Sequence, residues 1–67
     1  DWEKVMDPRT LDGVLFVNSR GIANHAGVVL KNRRFIHCCR QGVVVSRLED
    51  VMWVSKIEGF YRLRAWS

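Results

Sequence analysis

The side chains best suited to chemistry lie together in the central stretch of the chain: His25, His37, Cys38 and Cys39. An imidazole changes charge near neutral pH, so a histidine can act as a general base while a second polar ring fixes its tautomer. A thiolate is a nucleophile when a neighbouring group lowers its pKa. These residue types indicate proton transfer, with or without a thiol. The alternative is that the histidines only pack on a sheet surface.

Whether the two histidines can cooperate depends on the element that carries them. The apolar run Ala26 to Leu30, a polar turn and the run Phe35 to Cys39 predict a β-hairpin. A two-residue turn would place His25 and His37 on opposite faces, because side chains alternate along a strand. A three-residue turn, 31–33, would pair Leu30 with Arg34, set His37 opposite Gly27, and put both histidines on one face. Such a turn needs a left-handed residue, which Asn32 tolerates well.

The rest of the chain predicts further short strands. The run 14–17 is typical of a buried strand, Gln41-Gly42 of a turn into the strand 43–45, and the alternation over 57–65 of a half-buried strand ending near Trp66. Ser46 and Glu49 have the spacing of a capping box, which predicts a short helix over 47–53. The sequence therefore predicts a mainly β fold: a small bent antiparallel sheet of four to five strands with one short helix.

Length and charge restrict the function without naming it. A chain of 67 residues forms at most one small domain, and its net charge of +4 favours acidic partners such as nucleic acid, anionic lipid or cell-wall polymer. The sequence has neither a run long enough to span a membrane nor a signal-peptide pattern. Cys38 and Cys39 are adjacent and would point to opposite strand faces, so we expect reduced thiols. The chain opens with Asp1, which is compatible with a processed product or part of a longer protein.

The central stretch His-Ala-Gly-Val-Val-Leu-Lys-Asn-Arg-Arg-Phe-Ile-His, residues 25–37, resembles the core motif of the NlpC-like cell-wall cysteine peptidases, a papain-related family. Leu11-Asp-Gly-Val-Leu-Phe16 is similar to the family's Gly-Asp-apolar-apolar-Phe strand, with Asp and Gly exchanged. Residues 42–46 and the turn to Trp53 resemble the family's segment after its second histidine. Residues 59–62 resemble the closing strand of members from phage tail proteins.

The resemblance implies roles for the two histidines. In that family a cysteine at a helix start is the nucleophile, a strand histidine deprotonates it, and a third polar residue orients the histidine. By motif match, His25 is the base and His37 the orienting residue. The implied substrate is the stem peptide of bacterial peptidoglycan. The implied location is the virion, in a phage tail or tail tip, or the bacterial cell envelope.

One part of the family pattern is missing from this chain. The family's nucleophile precedes these strands, yet residues 1–24 contain no cysteine. We therefore expect residues 1–67 to be a single partial domain, the strand-rich half without the helical half. It would belong to a cysteine endopeptidase if an upstream cysteine-bearing segment exists, and would be inactive otherwise. The alternative is a non-catalytic tail component whose open sheet face is covered by other tail proteins.

Three other hypotheses carry less weight. With a three-residue turn, Cys39 would lie almost opposite His25 and is a candidate substitute nucleophile, but it has no helix start behind it and no evident oxyanion donors. A metal site built on the histidines and one cysteine lacks a fourth ligand, so neither a metal nor another cofactor is predicted. A nucleic-acid-binding β-domain would use Phe60, Arg62, Arg64 and Trp66 as an aromatic and basic patch, which is the less favoured class.

Overall fold

The computed structural model describes residues 1–64 as one open antiparallel sheet with a short helix. Its elements, in chain order, are β1 (Trp2–Val5), β2 (Gly13–Val17), β3 (Ala23–Leu30), a 3₁₀ turn (Lys31–Arg33), β4 (Arg34–Cys39), β5 (Gly42–Arg47), α1 (Val51–Val54) and β6 (Ile57–Leu63). The spatial order of the strands is β1-β6-β2-β3-β4-β5. The mainly β prediction with one short helix is confirmed, and the sheet has six strands over the described residues rather than four or five.

The additional strand is β1, which the sequence did not predict because Trp2–Val5 carries exposed and charged side chains. It pairs antiparallel with β6 at the edge of the sheet, with Glu3 opposite Arg62 and Lys4 opposite Tyr61. Lys4 also forms a 3.1 Å ion pair with Glu58 on β6. Backbone pairing and cross-strand contacts therefore create this strand, without the apolar alternation by which strands are recognised in sequences.

The hydrophobic core lies on one face of the sheet. Val14 and Phe16 of β2, Val29 of β3 and Phe35 of β4 are buried there, as the two-residue period of strands requires. Leu48, just after β5, completes the cluster, and Trp53, Ile57 and Phe60 pack against it. We call this the inner face. The opposite, outer face carries the alternate residues of the same strands and has no covering element among residues 1–64.

The central hairpin has the three-residue turn. Leu30 pairs with Arg34, and Gly27 pairs with His37. Asn32 has φ 62° and ψ 35°, the left-handed conformation expected of it, and Arg33 adopts positive φ as well, at 57°. The turn register therefore confirms that His25 and His37 lie on one face, the inner face.

The predicted short helix is present, but it begins at Val51 rather than at residue 47, and its predicted cap was wrong. β5 continues through Ser46 and Arg47, because Phe35 pairs with Ser46 and Arg34 with Arg47. The helix is a single turn, and its N-cap is Asp50, whose carboxylate accepts a 2.9 Å hydrogen bond from the backbone N–H of Met52. Sheet pairing takes precedence over the local capping box, which frees the Ser46 hydroxyl for another partner.

The strict alternation expected along β6 fails at Glu58. Phe60 pairs with Val14, but Phe16 pairs with Ile57, so the register slips by one residue between them. This bulge puts Ile57 and Phe60 on the same inner face. Phe60 therefore contributes to the core and not to an exposed aromatic patch. Ala65 and Trp66, at the predicted end of this strand, lie outside the described residues.

A buried ion pair joins β6 to the segment before β2. Asp12 is only 2% exposed and accepts hydrogen bonds from Arg62 at both carboxylate oxygens, at 2.9 Å from Nε and 2.7 Å from Nη2. The backbone N–H of Arg9 adds a third, at 2.7 Å, and Arg62 also donates to the carbonyl of Asp7. The guanidinium of Arg62 lowers the pKa of Asp12 from its usual value. Arg62, assigned above to the nucleic-acid patch, is thus engaged in this structural pair.

The described part of the chain contains no disulfide and no helix that could cross a membrane. Cys38 and Cys39 are both exposed free thiols at the end of β4. Within residues 1–64, no helix has the length and apolar character needed to cross a bilayer.

Candidate functional site

The inner face of the hairpin brings three polar side chains into a continuous hydrogen-bonded chain. The Nε2 atom of His25 lies 2.8 Å from Nδ1 of His37, and Nε2 of His37 lies 2.9 Å from Oγ of Ser46. His25 comes from β3, His37 from β4 and Ser46 from β5, so three neighbouring strands each contribute one member. We call this set the His-His-Ser relay.

Two irregularities of the backbone position His25. The pairing of β2 with β3 slips between Phe16 and Val17, so that Phe16 lies opposite His25 while Val17 lies opposite Ala23. The second slip, between β2 and β6, also occurs next to Phe16. Bulges bend a strand and re-aim its side chains, and here both occur at the same end of the sheet. They place His25 at the margin of the core, where it is only partly buried.

His37 lies opposite a glycine because the site has no room for another side chain. A Cβ atom on Gly27 would come within 2.9 Å of both the Ile36 carbonyl oxygen and Cδ2 of Phe35, and within 3.4 Å of Cβ of His37. The missing side chain of Gly27 therefore leaves room for His37 and for the Phe35 ring. Any larger residue here would displace the hairpin backbone or the Phe35 ring.

Aromatic rings surround the two imidazoles. Trp53 of α1 stacks on His25, with ring centroids 5.2 Å apart and 21° between the planes. The rings of Trp53 and His37 meet in a T-shaped arrangement, with centroids 4.9 Å apart. Phe35 packs on His37 at 4.6 Å. His37 is 5% exposed, and this burial, with the neighbouring charge of His25, lowers its pKa below the ordinary value of 6.5. Burial therefore favours the neutral form of His37, in which one ring nitrogen accepts a hydrogen bond.

The relay supports two proton arrangements when both histidines are neutral. In one, His25 donates from Nε2 to Nδ1 of His37, and His37 donates from Nε2 to Ser46. In the other, Ser46 donates to His37, and His37 donates to His25. Only the first is compatible with a proton added to Nδ1 of His25, because a protonated imidazole must donate from both nitrogens. In that arrangement His37 accepts a hydrogen bond from His25, and Ser46 accepts one from His37. Together they can stabilise the imidazolium form of His25.

The free nitrogen of His25 is the chemically available end of the relay. Among residues 1–64, Nδ1 of His25 has no hydrogen-bond partner. His25 also lines a cleft of about 580 Å³, which lies between the end of β2, the loop after it and the end of α1. Clefts of this size accommodate small ligands or a few residues of a peptide. A group bound in the cleft would contact Nδ1 of an imidazole whose other nitrogen, Nε2, is already hydrogen-bonded to His37.

Cys39 is not joined to this site in the part of the chain that the structure describes. It is the last residue of β4 and pairs with Gly42 of β5, and its side chain is exposed. No hydrogen bond connects its thiol with His25 in residues 1–64. The same residues contain no group of three or more His, Cys, Asp or Glu side chains placed to hold a metal ion.

The sequence predicted the two histidines as site residues, but not Ser46 or Trp53. Ser46 was assigned to a helix cap, although extending the period-two pattern of β5 beyond Val45 would have placed it on the face of Val44, which pairs with His37. Trp53 had no such signal, because its contact with the histidines depends on how α1 folds back over the sheet. Comparison with protein-family models and with curated proteins finds no match to this chain.

Proposed function

We propose that this chain is the strand-rich half of an NlpC-like cysteine peptidase domain that cleaves peptide stems of bacterial peptidoglycan, in a phage tail or at the cell envelope. In this proposal His25 is the general base and His37 is the residue that orients it. The observation that carries the proposal is the 2.8 Å contact between the two imidazoles, with Nδ1 of His25 left open beside a cleft.

The proposed reaction assigns one step to each member of the relay. A cysteine thiol bound in the cleft gives its proton to Nδ1 of His25, and the thiolate attacks the carbonyl carbon of the scissile peptide bond. His25 then returns that proton to the leaving amine. His37 holds the imidazolium through its Nδ1 lone pair, and its lowered pKa keeps that lone pair available at neutral pH. In this arrangement Ser46 accepts a hydrogen bond from Nε2 of His37.

The nucleophile in this proposal comes from a segment outside the 67 residues, since residues 1–24 contain no cysteine. The first test is the intact mass of the protein from its native source. A mass well above 7.8 kDa, with a cysteine at a helix start before residue 1, would support the proposal. A mass equal to that of these 67 residues would overturn the peptidase assignment.

The second test is cleavage of purified peptidoglycan by the native full-length protein. We expect His25→Ala to lower the rate of peptide release by at least about a hundredfold, the usual loss when a general base is removed. His37→Ala should lower it less, because His25 remains. The matched control is Lys31→Gln, in the exposed hairpin turn. Release that is unchanged by His25→Ala would exclude its role as the base.

A second function is favoured by the exposed outer face. Val28, Val43 and Val45 are 39%, 64% and 53% exposed, and strand pairing places them beside Ile36 and Cys38. Contiguous apolar surface of this kind marks protein contacts. In this alternative the chain is a non-catalytic tail or assembly component, and other tail proteins cover the outer face.

Virion composition separates the two functions. If the chain acts only in assembly, Val45→Lys should remove it from purified virions, while His25→Ala should leave its amount and the infectivity unchanged. If it acts as a peptidase, His25→Ala should reduce infectivity with the amount in the virion preserved. Quantitative mass spectrometry of purified particles measures the first property and plaque counts measure the second.

A further inference from the structure

We infer that the outer face binds the surface of an anionic phospholipid bilayer, with Arg34 and Arg47 holding lipid phosphate groups beside an apolar patch. The inference does not rest on the proposed peptidase function, because the His-His-Ser relay lies on the inner face. It assigns one occupant to the outer face, and so it competes with the assembly alternative, in which other tail proteins cover that face. The ligand class is a phosphodiester headgroup joined to acyl chains.

The outer face of β3, β4 and β5 combines apolar side chains with cations and carries no acid. Its alternate residues comprise seven apolar ones and two arginines: Ala26, Val28, Leu30, Arg34, Ile36, Cys38, Val43, Val45 and Arg47. Strand pairing makes the apolar residues contiguous, since Ile36 lies opposite both Val28 and Val45. An apolar patch bordered by cations is typical of surfaces that lie in the headgroup region of a membrane.

Arg34 and Arg47 form a pair of like charges. They lie directly opposite each other on β4 and β5, and the N–H of Leu48 donates to the carbonyl of Arg33 at 2.9 Å in the next pair. Because the two kinds of pair alternate in an antiparallel ladder, Arg34 and Arg47 form a non-hydrogen-bonded pair, in which side chains are closer. Neither exposed guanidinium has an ion pair or a hydrogen bond in residues 1–64. Such charges repel, and a phosphate group between them would relieve the repulsion.

An apolar groove on the same face suits an acyl chain. It has a volume of about 420 Å³, is lined by residues of β1, β2, β3 and β6, and continues into the patch through Val28. The phenol of Tyr61 is its polar group, and that hydroxyl donates to Glu58 at 2.6 Å. Glu58 is also paired with Lys4, at 3.1 Å. Trp2, which lines the groove, is 59% exposed, and indole rings are enriched at the interfaces of bilayers.

Charge and residue type favour a bilayer over the other occupants of this face. A net charge of +4 and two facing arginines oppose the stacking of a second copy of the chain. The nine residues of β3, β4 and β5 include no aromatic ring on which a nucleic-acid base could stack. A phospholipid matches both parts of the surface, because its phosphate suits the arginines and its chains suit the aliphatic patch.

The test is cosedimentation of the full chain with vesicles at low salt. Vesicles of dioleoylphosphatidylglycerol are anionic, and vesicles of dioleoylphosphatidylcholine are the reference without net charge. We expect at least about tenfold stronger partition into the anionic vesicles. Arg34→Gln and Arg47→Gln should each weaken that partition about fivefold, the effect of one cation at an anionic surface. The matched control is Arg20→Gln, which removes the same charge from the exposed loop between β2 and β3 and should have a much smaller effect.

Two further measurements test the apolar contact. Val43→Thr combined with Val45→Thr keeps the β-branched shape, adds two hydroxyls and should weaken partition about tenfold. The other measurement needs no substitution. Anionic vesicles should slow alkylation of Cys38 by iodoacetamide, because Cys38 pairs with Val43 inside the patch. Cys39 is the internal control, since it is exposed and follows on the opposite face of β4, so its alkylation should be slowed less.

Five results would overturn the inference. Equal partition into the two kinds of vesicle would remove the role of the lipid charge, and equal losses from Arg20→Gln and Arg34→Gln would reduce binding to net charge. Inorganic phosphate that shifts the NMR signals of Arg34 and Arg47, without sedimentation on vesicles, would make free phosphate the ligand. A dimer that Val45→Thr abolishes, or protection of Cys38 in purified tails but not by vesicles, would assign the face to a second copy or to a tail protein. The peptidase proposal stands or falls separately, on the effect of His25→Ala on peptidoglycan cleavage.

Discussion

Two polar clusters are embedded in this small sheet, and they differ in whether their hydrogen bonds are complete. In the Asp12–Arg62 pair, the carboxylate accepts three hydrogen bonds from Arg62 and Arg9, so the cluster is closed. The His-His-Ser relay is a linear chain, and its last nitrogen, Nδ1 of His25, is open next to a cleft. A closed cluster stabilises the fold, whereas an open one can exchange a proton with a ligand.

The largest effect is expected from breaking the closed cluster. Asp12→Asn would remove the charge that pairs with Arg62 while keeping the size of the side chain. We expect Tm to fall by on the order of 10 °C, because Asp12 is almost fully buried and Arg62 would lose its partner. Differential scanning calorimetry measures this. The control is Glu49→Gln at an exposed acid whose ion pair is with Arg33, and an unchanged Tm for Asp12→Asn would show that the Asp12–Arg62 pair contributes no stability.

A smaller loss of stability is expected from shortening the open cluster. Ser46→Ala removes the hydroxyl from Nε2 of His37, and we expect Tm to fall by about 5 °C, the effect of one hydrogen bond in a domain of this size. The ¹⁵N shifts of His37 should also change, because Nε2 loses its hydrogen-bond partner. Ser46→Thr keeps a hydroxyl and should restore both. Identical ¹⁵N shifts for the wild type and Ser46→Ala would contradict a relay role for Ser46.

The free energy of unfolding should decline with acid in two separate pH ranges, one for each cluster. Each decline should be smaller than the effects of the two substitutions above. Burial and the His25 charge lower the pKa of His37 in the folded state, so the unfolded chain binds its proton first as the pH falls. The contribution of His37 is therefore complete above pH 6.5 and declines as the pH falls from 6.5 toward the lowered pKa. The lowered pKa of Asp12 acts in the same direction, but only below about its ordinary value of 3.8.

Urea denaturation between about pH 8 and pH 3 measures these windows. His37→Gln should reduce the decline in unfolding free energy just below pH 6.5. The decline due to Asp12, below about pH 3.8, should remain. Direct NMR titration of the His37 ring gives an independent measurement. A His37 pKa at or above 6.5 in the folded protein would contradict the assignment of burial as the dominant cause.

The last prediction is that replacing His25 does not change the reactivity of Cys39. Its exposed thiol has no hydrogen bond to His25 in residues 1–64, so His25 should not activate it. We expect iodoacetamide to alkylate Cys39 at the same rate in the wild type and in His25→Ala at neutral pH, as followed by peptide mass spectrometry. Slower alkylation in His25→Ala would mean that the open end of the relay reaches Cys39, and the substitute-nucleophile hypothesis would then gain support.

Local sequence patterns were sufficient to predict the central hairpin and the placement of the two histidines on its strands. The apolar runs on both sides of 31–33, with Asn32 able to adopt positive φ, predicted the hairpin, and one of its two turn lengths placed the histidines on one face. The same kind of signal failed at Ser46, where a capping box and a continuing strand competed. Strand pairing with β4 prevailed, because Phe35 and Arg34 supply partners that no local pattern contains.

The sequence by itself determined a mainly β chain, a hairpin with histidines on its two strands, and a net positive charge. Alternation of apolar residues and turn chemistry are properties of neighbouring residues, so they can be identified without coordinates. Tertiary structure alone decided that Ser46 extends the relay, that a bulge at Glu58 turns Ile57 inward, and that Trp53 joins His25 to Lys56. These features depend on strand register and on the packing of α1 against the sheet, which involve residues far apart in the chain.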